Sequence, residues 1–323
     1  MPVALITGAA GVMGARLVER VRDAGWQVRA LVLPGDPLRA RVDALGCDVR
    51  EGDVSQATTL AGLCEGVDTV YHLAAVIVSH EPSVFERINR QGTENLVHEA
   101  ERARVRHFVY VSSASVTYPR RTPYAESKLQ AEGIVRAAPL GYTIVRPTLV
   151  YEPGGGQELM MFLDYLRRFP VVPFIGSGRA RKRPVWSGDV VDGLTRLLGS
   201  EIALGKTYNL SGAESISMRE LAQLLLAHHD RERPLLPVPV PLCRALAWLA
   251  ALLMKRPPLT ASAIAGVIHD ADLDPGLAMS ELGYRPLGVR EGFRRFFPIA
   301  AAASDAAPGS PISPAFRRKG TMP

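Results

Sequence analysis

Short apolar runs alternate with longer amphipathic stretches over the first half of the chain. Runs of four to seven mostly apolar residues predict buried strands, and apolar positions recurring about every 3.6 residues predict helices. The predicted strands cover residues 3–7, 27–33, 68–73, 107–112 and 142–146, and the predicted helices cover residues 14–24, 85–103 and 124–137. Strands that follow one another through helices pair in parallel with right-handed crossovers. The pattern therefore predicts an α/β fold with a doubly wound parallel sheet.

The alternation changes after Pro147, where prolines and short elements follow one another to about residue 298. We expect the sheet domain to span residues 1–150 and a smaller C-terminal substrate lobe to span residues 151–298. The amphipathic stretch 189–198 indicates that residues 185–212 return to the sheet. Residues 299–323 are mostly Ala, Pro, Ser and Gly, a composition that predicts a disordered tail.

Composition and charge exclude several classes of protein. Hydrophobic residues make up 47% of the 323 residues and the net charge is +6, which excludes a collagen-like or wholly disordered chain. Part of that charge lies in the tail, so we expect no nucleic-acid partner. The three cysteines are far apart and the paired His228 and His229 lack ligand spacing, so no metal site is expected. Without a secretory signal pattern, we expect a cytoplasmic protein.

A glycine-rich turn connects the first predicted strand to the first helix. Gly8 allows a tight turn, Gly11 allows a phosphate to approach the backbone, and Gly14 allows the helix to pack closely on the strand. This arrangement predicts a Rossmann-type dinucleotide-binding domain with these contact residues: Thr7, Gly8, Gly11, Val12, Met13 and Gly14.

The choice between NAD and NADP stays open. The second strand ends in Val32 and Leu33 instead of an acid or an arginine, and both Asp36 and Arg39 follow closely. An acid favours the NAD ribose and an arginine favours the NADP phosphate, so we prefer NAD only by a small margin. Further cofactor contacts are expected after the third and fourth strands, at Asp53, Val54, Leu73, Ala74 and Ala75; Asp53 is equally explained as a turn or helix-cap residue.

A hydroxyl, a phenol and an ammonium group follow the fifth strand region. Ser113 lies at the end of the strand, and Tyr124 and Lys128 are four apart, which places them on one face of a helix. A cation beside a phenol favours the phenolate, so we expect Lys128 to lower the pKa of Tyr124. Tyr124 would then exchange a proton with an alcohol or ketone, and Ser113 would bind the same oxygen.

The chain resembles the extended short-chain dehydrogenase/reductase family, which contains nucleotide-sugar epimerases and 3β-hydroxysteroid dehydrogenases. The resemblance covers roughly residues 1–297 and rests on the segments 7–14, 52–54, 71–75, 110–113, 124–128 and 146–148 together with Asn89, Gly92 and Thr93. It implies that Ser113, Tyr124 and Lys128 are the catalytic residues, that Lys128 also binds the nicotinamide ribose, and that Pro147 and Thr148 border the nicotinamide. It also implies a possible homodimer.

These observations predict an NAD(P)-dependent oxidoreductase or epimerase that acts on a secondary alcohol or ketone. The preferred substrate is a nucleotide sugar, whose diphosphate the basic cluster Arg181, Lys182 and Arg183 would bind; a solvated surface explains the cluster equally well. Two alternatives remain: a 3β-hydroxysteroid dehydrogenase-like enzyme acting on an apolar lipid alcohol, and a non-catalytic dinucleotide-binding subunit or sensor.

The most apolar segment of the chain is residues 242–254, which precede Lys255 and Arg256. We interpret it as a packed helix of the substrate lobe. Contact with a membrane surface is the less favoured interpretation.

Overall fold

The computed structural model describes residues 1–152, 157–228, 232–254 and 259–296. The strands are β1 Val3–Thr7, β2 Gln27–Val32, β3 Asp48–Glu51, β4 Thr69–His72, β5 His107–Val111, β6 Gly141–Pro147, β7 Val150–Tyr151, β8 Val172–Ile175, β9 Arg181–Lys182, β10 Val185–Trp186, β11 Lys206–Leu210, β12 Ile216–Ser217 and β13 Leu235–Val238.

The helices alternate with these strands. They are α1 Val12–Asp23, α2 Arg39–Asp43, α3 Pro82–Phe85, α4 Gly92–Arg102, α5 Pro123–Ala137, α6 Gln157–Arg168, α7 Ser187–Thr195, α8 Met218–Ala227, α9 Val240–Leu253, α10 Ala261–Ile268, α11 Gly276–Leu282 and α12 Val289–Phe296. Short 3₁₀ helices cover Ala57–Leu60, Ala114–Thr117 and Glu201–Ala203, and a π-helix covers Glu86–Gln91.

A seven-stranded sheet of order β3-β2-β1-β4-β5-β6-β11 forms the centre of the molecule, and all of its strand pairs are parallel. The predicted Rossmann-type α/β fold is therefore confirmed. The strand order reverses between β1 and β4, and in such sheets ligands bind in the crevice beyond the carboxyl ends of these strands.

Apolar side chains cover both faces of the sheet. Leu17 of α1 and Val190 and Leu194 of α7 pack on one face, and Leu96 of α4 and Ala131 of α5 pack on the other. A separate core joins α6, α8 and α12 around Leu163, Leu221, Phe174 and Phe293. This second core belongs to the region expected to be the substrate lobe.

Residues 185–212 lie against the sheet as well as beside the second core. Helix α7 packs on α1, and β11 pairs with β6 at the edge of the sheet. The domain boundaries themselves stay a prediction, and the expected disordered tail, residues 299–323, lies outside the described residues.

The predicted helix 85–103 is present, but it begins earlier, at Pro82, and a π-helix separates α3 from α4. Within the π-helix, the buried Asn89 turns its side chain towards the loop after β4: its amide oxygen accepts from the Val76 N–H at 2.8 Å and its amide nitrogen donates to the Val76 carbonyl at 2.9 Å. A π-helix inserts an extra residue into the helical repeat, which periodicity alone does not reveal.

Helix α9 packs on α10 along one side only. Cys243 and Ala247 are buried beside Ile264, whereas most of the large apolar side chains of α9 are exposed. The interpretation as a packed helix therefore holds for this one side. None of the helices in the described ranges is long and apolar enough to cross a membrane.

Candidate active site

The glycine turn lies at the point where the strand order reverses. Gly8 has a φ of +70°, and a Cβ atom there would stand 2.9 Å from the Ala74 nitrogen, so only glycine leaves the ends of β1 and β4 this close together. A Cβ on Gly14 would overlap the Gly8 carbonyl oxygen. Both glycines are therefore required by the turn itself.

Helix α1 begins beside this turn with its first amides uncapped. Gly11 precedes the helix without a side-chain cap, and the first turn contains no acid. Free N–H groups and the positive end of the helix dipole favour an anion at this position. The turn, Val12 and Met13 therefore suit the diphosphate of a dinucleotide.

Thr7 and His72 fasten the ends of β1 and β4 to each other. The Thr7 hydroxyl lies 2.7 Å from His72 Nδ1 and accepts from the Ala74 N–H at 3.2 Å, and His72 Nε2 lies 3.0 Å from the Thr93 hydroxyl. Burial, and secondarily the charge of Lys128, lowers the pKa of His72 to about 3. The imidazole is thus neutral and structural near pH 7.

Asp53 and Val54 have local structural contacts. The Asp53 carboxylate accepts from the Ser55 N–H at 2.8 Å, as in an Asx turn. Val54 is buried, and its carbonyl accepts from the Asn95 amide at 2.9 Å. Val54 therefore holds the chain after β3 against α4, and Asp53 stabilises the turn before it. The predicted contact of both residues with the cofactor stays a prediction.

The two candidates for choosing between NAD and NADP have different surroundings. Arg39 pairs with Asp43 at 3.3 Å and with Glu51 at the end of β3. Asp36 accepts from the Leu38 N–H at 2.8 Å. The guanidinium is therefore already shared between two carboxylates.

Ser113 and Tyr124 meet beyond the carboxyl end of β5. Ser113 caps the 3₁₀ helix that follows β5. Its hydroxyl lies 3.0 Å from the Ser115 hydroxyl and is close enough to the Tyr124 phenol to lower the pKa of that group. Thr122 caps α5, which places Tyr124 in the first turn of this helix. The Tyr124 ring packs edge-on against Phe85 with the ring centres 6.1 Å apart.

Lys128 lies one turn further along α5, almost wholly buried. Its Nζ donates to the Val111 carbonyl at 2.7 Å and stands 4.2 Å from the centre of the Tyr110 ring. Burial lowers the pKa of Lys128 to about 7, against the raising effect of Glu132.

The expected lowering of the pKa of Tyr124 is wrong for this structure. Burial and the charge of Glu158 raise it above its ordinary value, and the nearby Ser113 hydroxyl only partly opposes them. The physical reason is that Lys128 points at the Val111 carbonyl and the Tyr110 ring. Near pH 7 the Tyr124 phenol is therefore neutral.

Pro147 and Thr148 follow β6 at the same edge of the sheet. Pro147 pairs with Leu210 of β11, and the Thr148 hydroxyl donates to the Arg183 carbonyl. Leu73 and Ala75 lie in the loop after β4, with Ala74 above Gly8. The structure thus brings the predicted nicotinamide-side residues to the ends of neighbouring strands.

The basic cluster is not assembled as one site. Arg181 contacts the Ser215 hydroxyl at 3.1 Å, and Arg183 pairs with Asp272 at 2.6 Å. Lys182 is buried on the opposite side and donates to the His269 carbonyl at 2.6 Å and to the Tyr118 hydroxyl at 3.4 Å. Alternate side chains of an extended segment point to opposite sides, which separates the three cations.

Three further residues at this site were missed by sequence reasoning. Glu132 accepts from Ser112 at 2.7 Å and from Arg146 at 2.6 and 2.8 Å, and its four-residue spacing from Lys128 was the available signal. Glu158 lies in α6 and Tyr118 directly follows the 3₁₀ helix 114–117. Glu158 is close enough to raise the pKa of Tyr118 and Tyr124, after the larger effect of burial. No local pattern predicts such long-range neighbours.

Comparisons with known proteins show which family the chain resembles over most of its length. The model of the NAD dependent epimerase/dehydratase family matches residues 4–211. The chain is 35% identical over 175 residues to a ceramide reductase of Caulobacter vibrioides, which covers 54% of each protein. It is 27% identical over 328 residues to a 3 beta-hydroxysteroid dehydrogenase/Delta 5-->4-isomerase of Mycobacterium tuberculosis, which covers 88% of this chain and 86% of that enzyme.

A solved structure extends the likeness to the whole fold. The UDP-glucose 4-epimerase of Thermus thermophilus, in complex with NAD, superposes with a TM-score of 0.70 and 21% identity, and the match covers 91% of this chain and 97% of that one. At this identity the likeness concerns the fold alone.

Proposed function

Since the chain belongs to the NAD dependent epimerase/dehydratase family, we propose that it interconverts a ketone and a secondary alcohol of an apolar lipid with NAD as cofactor. The observation that carries this proposal is that Ser113 and Tyr124 lie together beyond the carboxyl end of β5, at the same edge of the parallel sheet as the glycine turn that follows β1. The family makes the chain an NAD-dependent oxidoreductase in broad terms, and the lipid and the preference for NAD are the proposed details.

The residues present suit a dinucleotide. A Cβ on Gly8 or Gly14 would fill the turn, and the uncapped amides of α1 would bind the diphosphate. Lys128 Nζ is held by the Val111 carbonyl and would bind the nicotinamide ribose with its remaining hydrogens. When bound, the nicotinamide supplies a hydride, with its two electrons, to the carbonyl carbon or receives one from the alcohol.

The neutral phenol of Tyr124 is in the protonation state that ketone reduction requires of a proton donor. Its proton passes to the substrate oxygen as that oxygen gains negative charge, so the product is an alcohol and the residue is left as a phenolate. Ser113 donates to the same oxygen and stabilises the developing charge. Solvent then returns a proton to Tyr124 before the next turnover.

The surroundings favour a lipid over a nucleotide sugar. Arg181 and Arg183 are engaged with Ser215 and Asp272 and do not form one diphosphate site with Lys182. The Tyr124 ring packs against Phe85. The two relatives named above are a ceramide reductase and a steroid dehydrogenase, and both names denote lipid substrates.

Action on a nucleotide sugar is the second candidate function, because Lys182 presents a buried cation beside Tyr118. A substrate phosphate would be a natural partner for such a cation.

The preference for NAD rests on Arg39. Because Asp43 and Glu51 already share its guanidinium, a 2′-phosphate would have to displace these carboxylates. We therefore expect a higher KM for NADPH than for NADH.

The test is a substrate screen with the full-length chain and either NADH or NADPH. Ketosteroids and keto-sphingolipids in mixed micelles are compared with UDP-sugars by following the absorbance of the reduced nicotinamide and by analysing the products. We expect alcohol products from lipid ketones, with NADH preferred. Epimerisation of a UDP-sugar without conversion of any lipid ketone would overturn the lipid assignment.

A variant separates the two substrate classes further. Arg181→Ala combined with Arg183→Ala should leave the KM for a lipid ketone unchanged. Neither arginine side chain lies with Lys182 on the side of the segment that contacts Tyr118. A UDP-sugar enzyme that bound the diphosphate through this cluster would instead show a raised KM.

A further inference from the structure

Helix α9 exposes an unusually large set of apolar side chains. Among its residues and the one that follows, seven large apolar side chains are between 47% and 76% exposed: Leu242, Leu246, Trp248, Leu249, Leu252, Leu253 and Met254. We call these seven residues the outer face of α9. Single exposed apolar residues are ordinary on a protein surface, but a contiguous group marks a contact surface.

The arrangement of this group is regular along the helix. Leu242, Leu246, Leu249 and Leu253 follow each other at intervals of four, three and four, which aligns them on one side of the helix. Trp248 and Leu252 widen that side, while Cys243 and Ala247 face α10. The fourteen residues of α9 form a helix roughly 21 Å long, so the exposed strip is long as well as wide.

The charge around the outer face is positive. Arg244 is the single charged residue of α9, and the sequence from 234 to 269 contains no aspartate or glutamate. Arg244 and Arg120 are both close enough to His269, the residue after α10, to help lower its pKa after the larger effects of burial and Lys182, and Asp270 opposes them. Apolar side chains flanked by cations suit a surface with an apolar interior and negatively charged headgroups.

We propose that the outer face of α9 docks on the surface of a bilayer containing anionic lipids, with the helix lying in the plane of the membrane. In this position the leucines and Trp248 enter the headgroup region and Arg244 contacts lipid phosphates. Trp at such an interface keeps its ring among acyl chains and its N–H near water.

A second copy of the chain is a poorer occupant of this surface. Two outer faces packed together would offer no carboxylate from residues 234–269 to pair with Arg244. An anionic lipid surface supplies the missing negative charge. This inference goes beyond the proposed function, because docking on a membrane needs neither turnover nor a bound cofactor.

The surface is connected to the candidate active site. Helix α10, which packs on α9, ends at His269, whose carbonyl accepts from Lys182 and whose ring lies 5.5 Å from that of Tyr118. A molecule leaving the bilayer beside α10 would therefore arrive near Tyr118 and Tyr124.

The test is co-sedimentation of the full-length chain with vesicles of phosphatidylcholine alone or with added phosphatidylglycerol. We expect binding to the anionic vesicles, weakened by salt. Leu249→Glu combined with Leu253→Glu should reduce the partition coefficient at least about tenfold, because each change removes the transfer free energy of a leucine and adds a repelled charge. The matched control combines Leu277→Glu with Met279→Glu, at two similarly exposed positions of α11. This variant should bind the vesicles less than twofold more weakly than the wild type, which is a loss of less than about 0.4 kcal/mol.

A second measurement does not require these charged variants to fold. Acyl chains brominated near the headgroup should quench tryptophan emission of the wild type, and the quenching should be lost in Trp248→Phe, whose side chain is 67% exposed. Three results overturn the proposal: a wild type that stays in the supernatant, quenching that survives Trp248→Phe, or a dimer in sedimentation velocity that the glutamate variant dissociates.

Discussion

Tyr124 combines a packed ring with a hydroxyl group close to Ser113. Because the ring contact with Phe85 does not involve the hydroxyl, Tyr124→Phe keeps the packing and removes the proton donor. We expect kcat to fall by about 10² or more while the affinity for NADH stays the same. Steady-state kinetics and NADH fluorescence titration measure the two quantities.

Tyr142→Phe is the matched control for this variant. Tyr142 lies in β6 and packs against Arg136, away from Ser113. The kcat of the Tyr142→Phe variant should equal that of the wild type. Equal turnover in Tyr124→Phe as well would contradict the proposed proton transfer.

His72 makes the stability of the protein sensitive to acid. Burial lowers its pKa to about 3 in the folded chain, whereas an unfolded histidine titrates near pH ~6.5. Between these values the unfolded chain binds one proton more, so the free energy of unfolding falls as the pH falls from about 6.5 to about 3, and by up to ~1.4 kcal/mol per pH unit.

The variant His72→Asn removes this titrating group. Urea unfolding at several values between pH 4 and 6 should therefore give a shallower dependence on pH than in the wild type. His98→Asn, on the exposed side of α4, is the control and should leave the wild-type slope unchanged. Identical slopes in wild type and His72→Asn would show that the imidazole does not titrate as its burial requires.

At the scale of elements, the start of α1 depends on the absence of a side chain at Gly14. Gly14→Ala would place a methyl group against Gly8 and Ala9 and force the helix away from the turn. We expect a loss of about 1–3 kcal/mol in the free energy of unfolding and weaker binding of NADH. Denaturant titration and NADH titration test both effects.

Gly133 offers a matched control in α5, because a Cβ there meets no atom within 4 Å. Gly133→Ala should stabilise the protein by about 0.5–1 kcal/mol through helix propensity and leave NADH binding unchanged. A Gly14→Ala protein as stable as Gly133→Ala would contradict the required close approach.

The strands and the glycine turn could be predicted from the sequence because their signals are local. A run such as residues 3–7 is apolar almost throughout, and Gly8, Gly11 and Gly14 follow it at the spacing that the turn requires. The fold class then follows from the order of strands and helices. Ser113, Tyr124 and Lys128 could be nominated for the same reason.

What the sequence did not predict depends on contacts between distant segments. The sequence grouped Lys182 with Arg181 and Arg183. Only the extended backbone from 181 to 183 shows that the Lys182 side chain lies on the opposite side from its two neighbours. The direction of the Tyr124 pKa shift depends on the burial of Tyr124, on the charge of Glu158 in α6, and on the hydrogen bond that Lys128 donates to the Val111 carbonyl. None of these is encoded in spacing along one helix.

At the scale of the whole molecule, the chain passes repeatedly between the sheet and the second core. Lys206 of β11 pairs with Glu281 of α11 at 2.7 Å, and the Leu287 N–H donates to Asp189 of α7 at 2.8 Å. In the second core, the ring of Phe293 stacks on that of Tyr151, 5.1 Å away. The Leu287–Asp189 hydrogen bond joins the segment just before α12 to the helix α7 that packs on the sheet.

We therefore expect one cooperative unfolding transition in spite of the length of the chain. Far-UV circular dichroism and tryptophan emission should give coincident denaturation curves. Glu281→Gln should change the stability only slightly and should not split the transition, since the pair with Lys206 is partly exposed. Two separated transitions in the wild type would contradict this coupling.

The pairing of β11 with β6 also has a consequence for biosynthesis. The sheet receives its last strand from residues 206–210, and β6 ends at residue 147. While the ribosome adds the intervening residues, the nascent chain carries β6 as an uncovered edge that another polypeptide can pair with. Protection by chaperones should be needed most during this interval of translation.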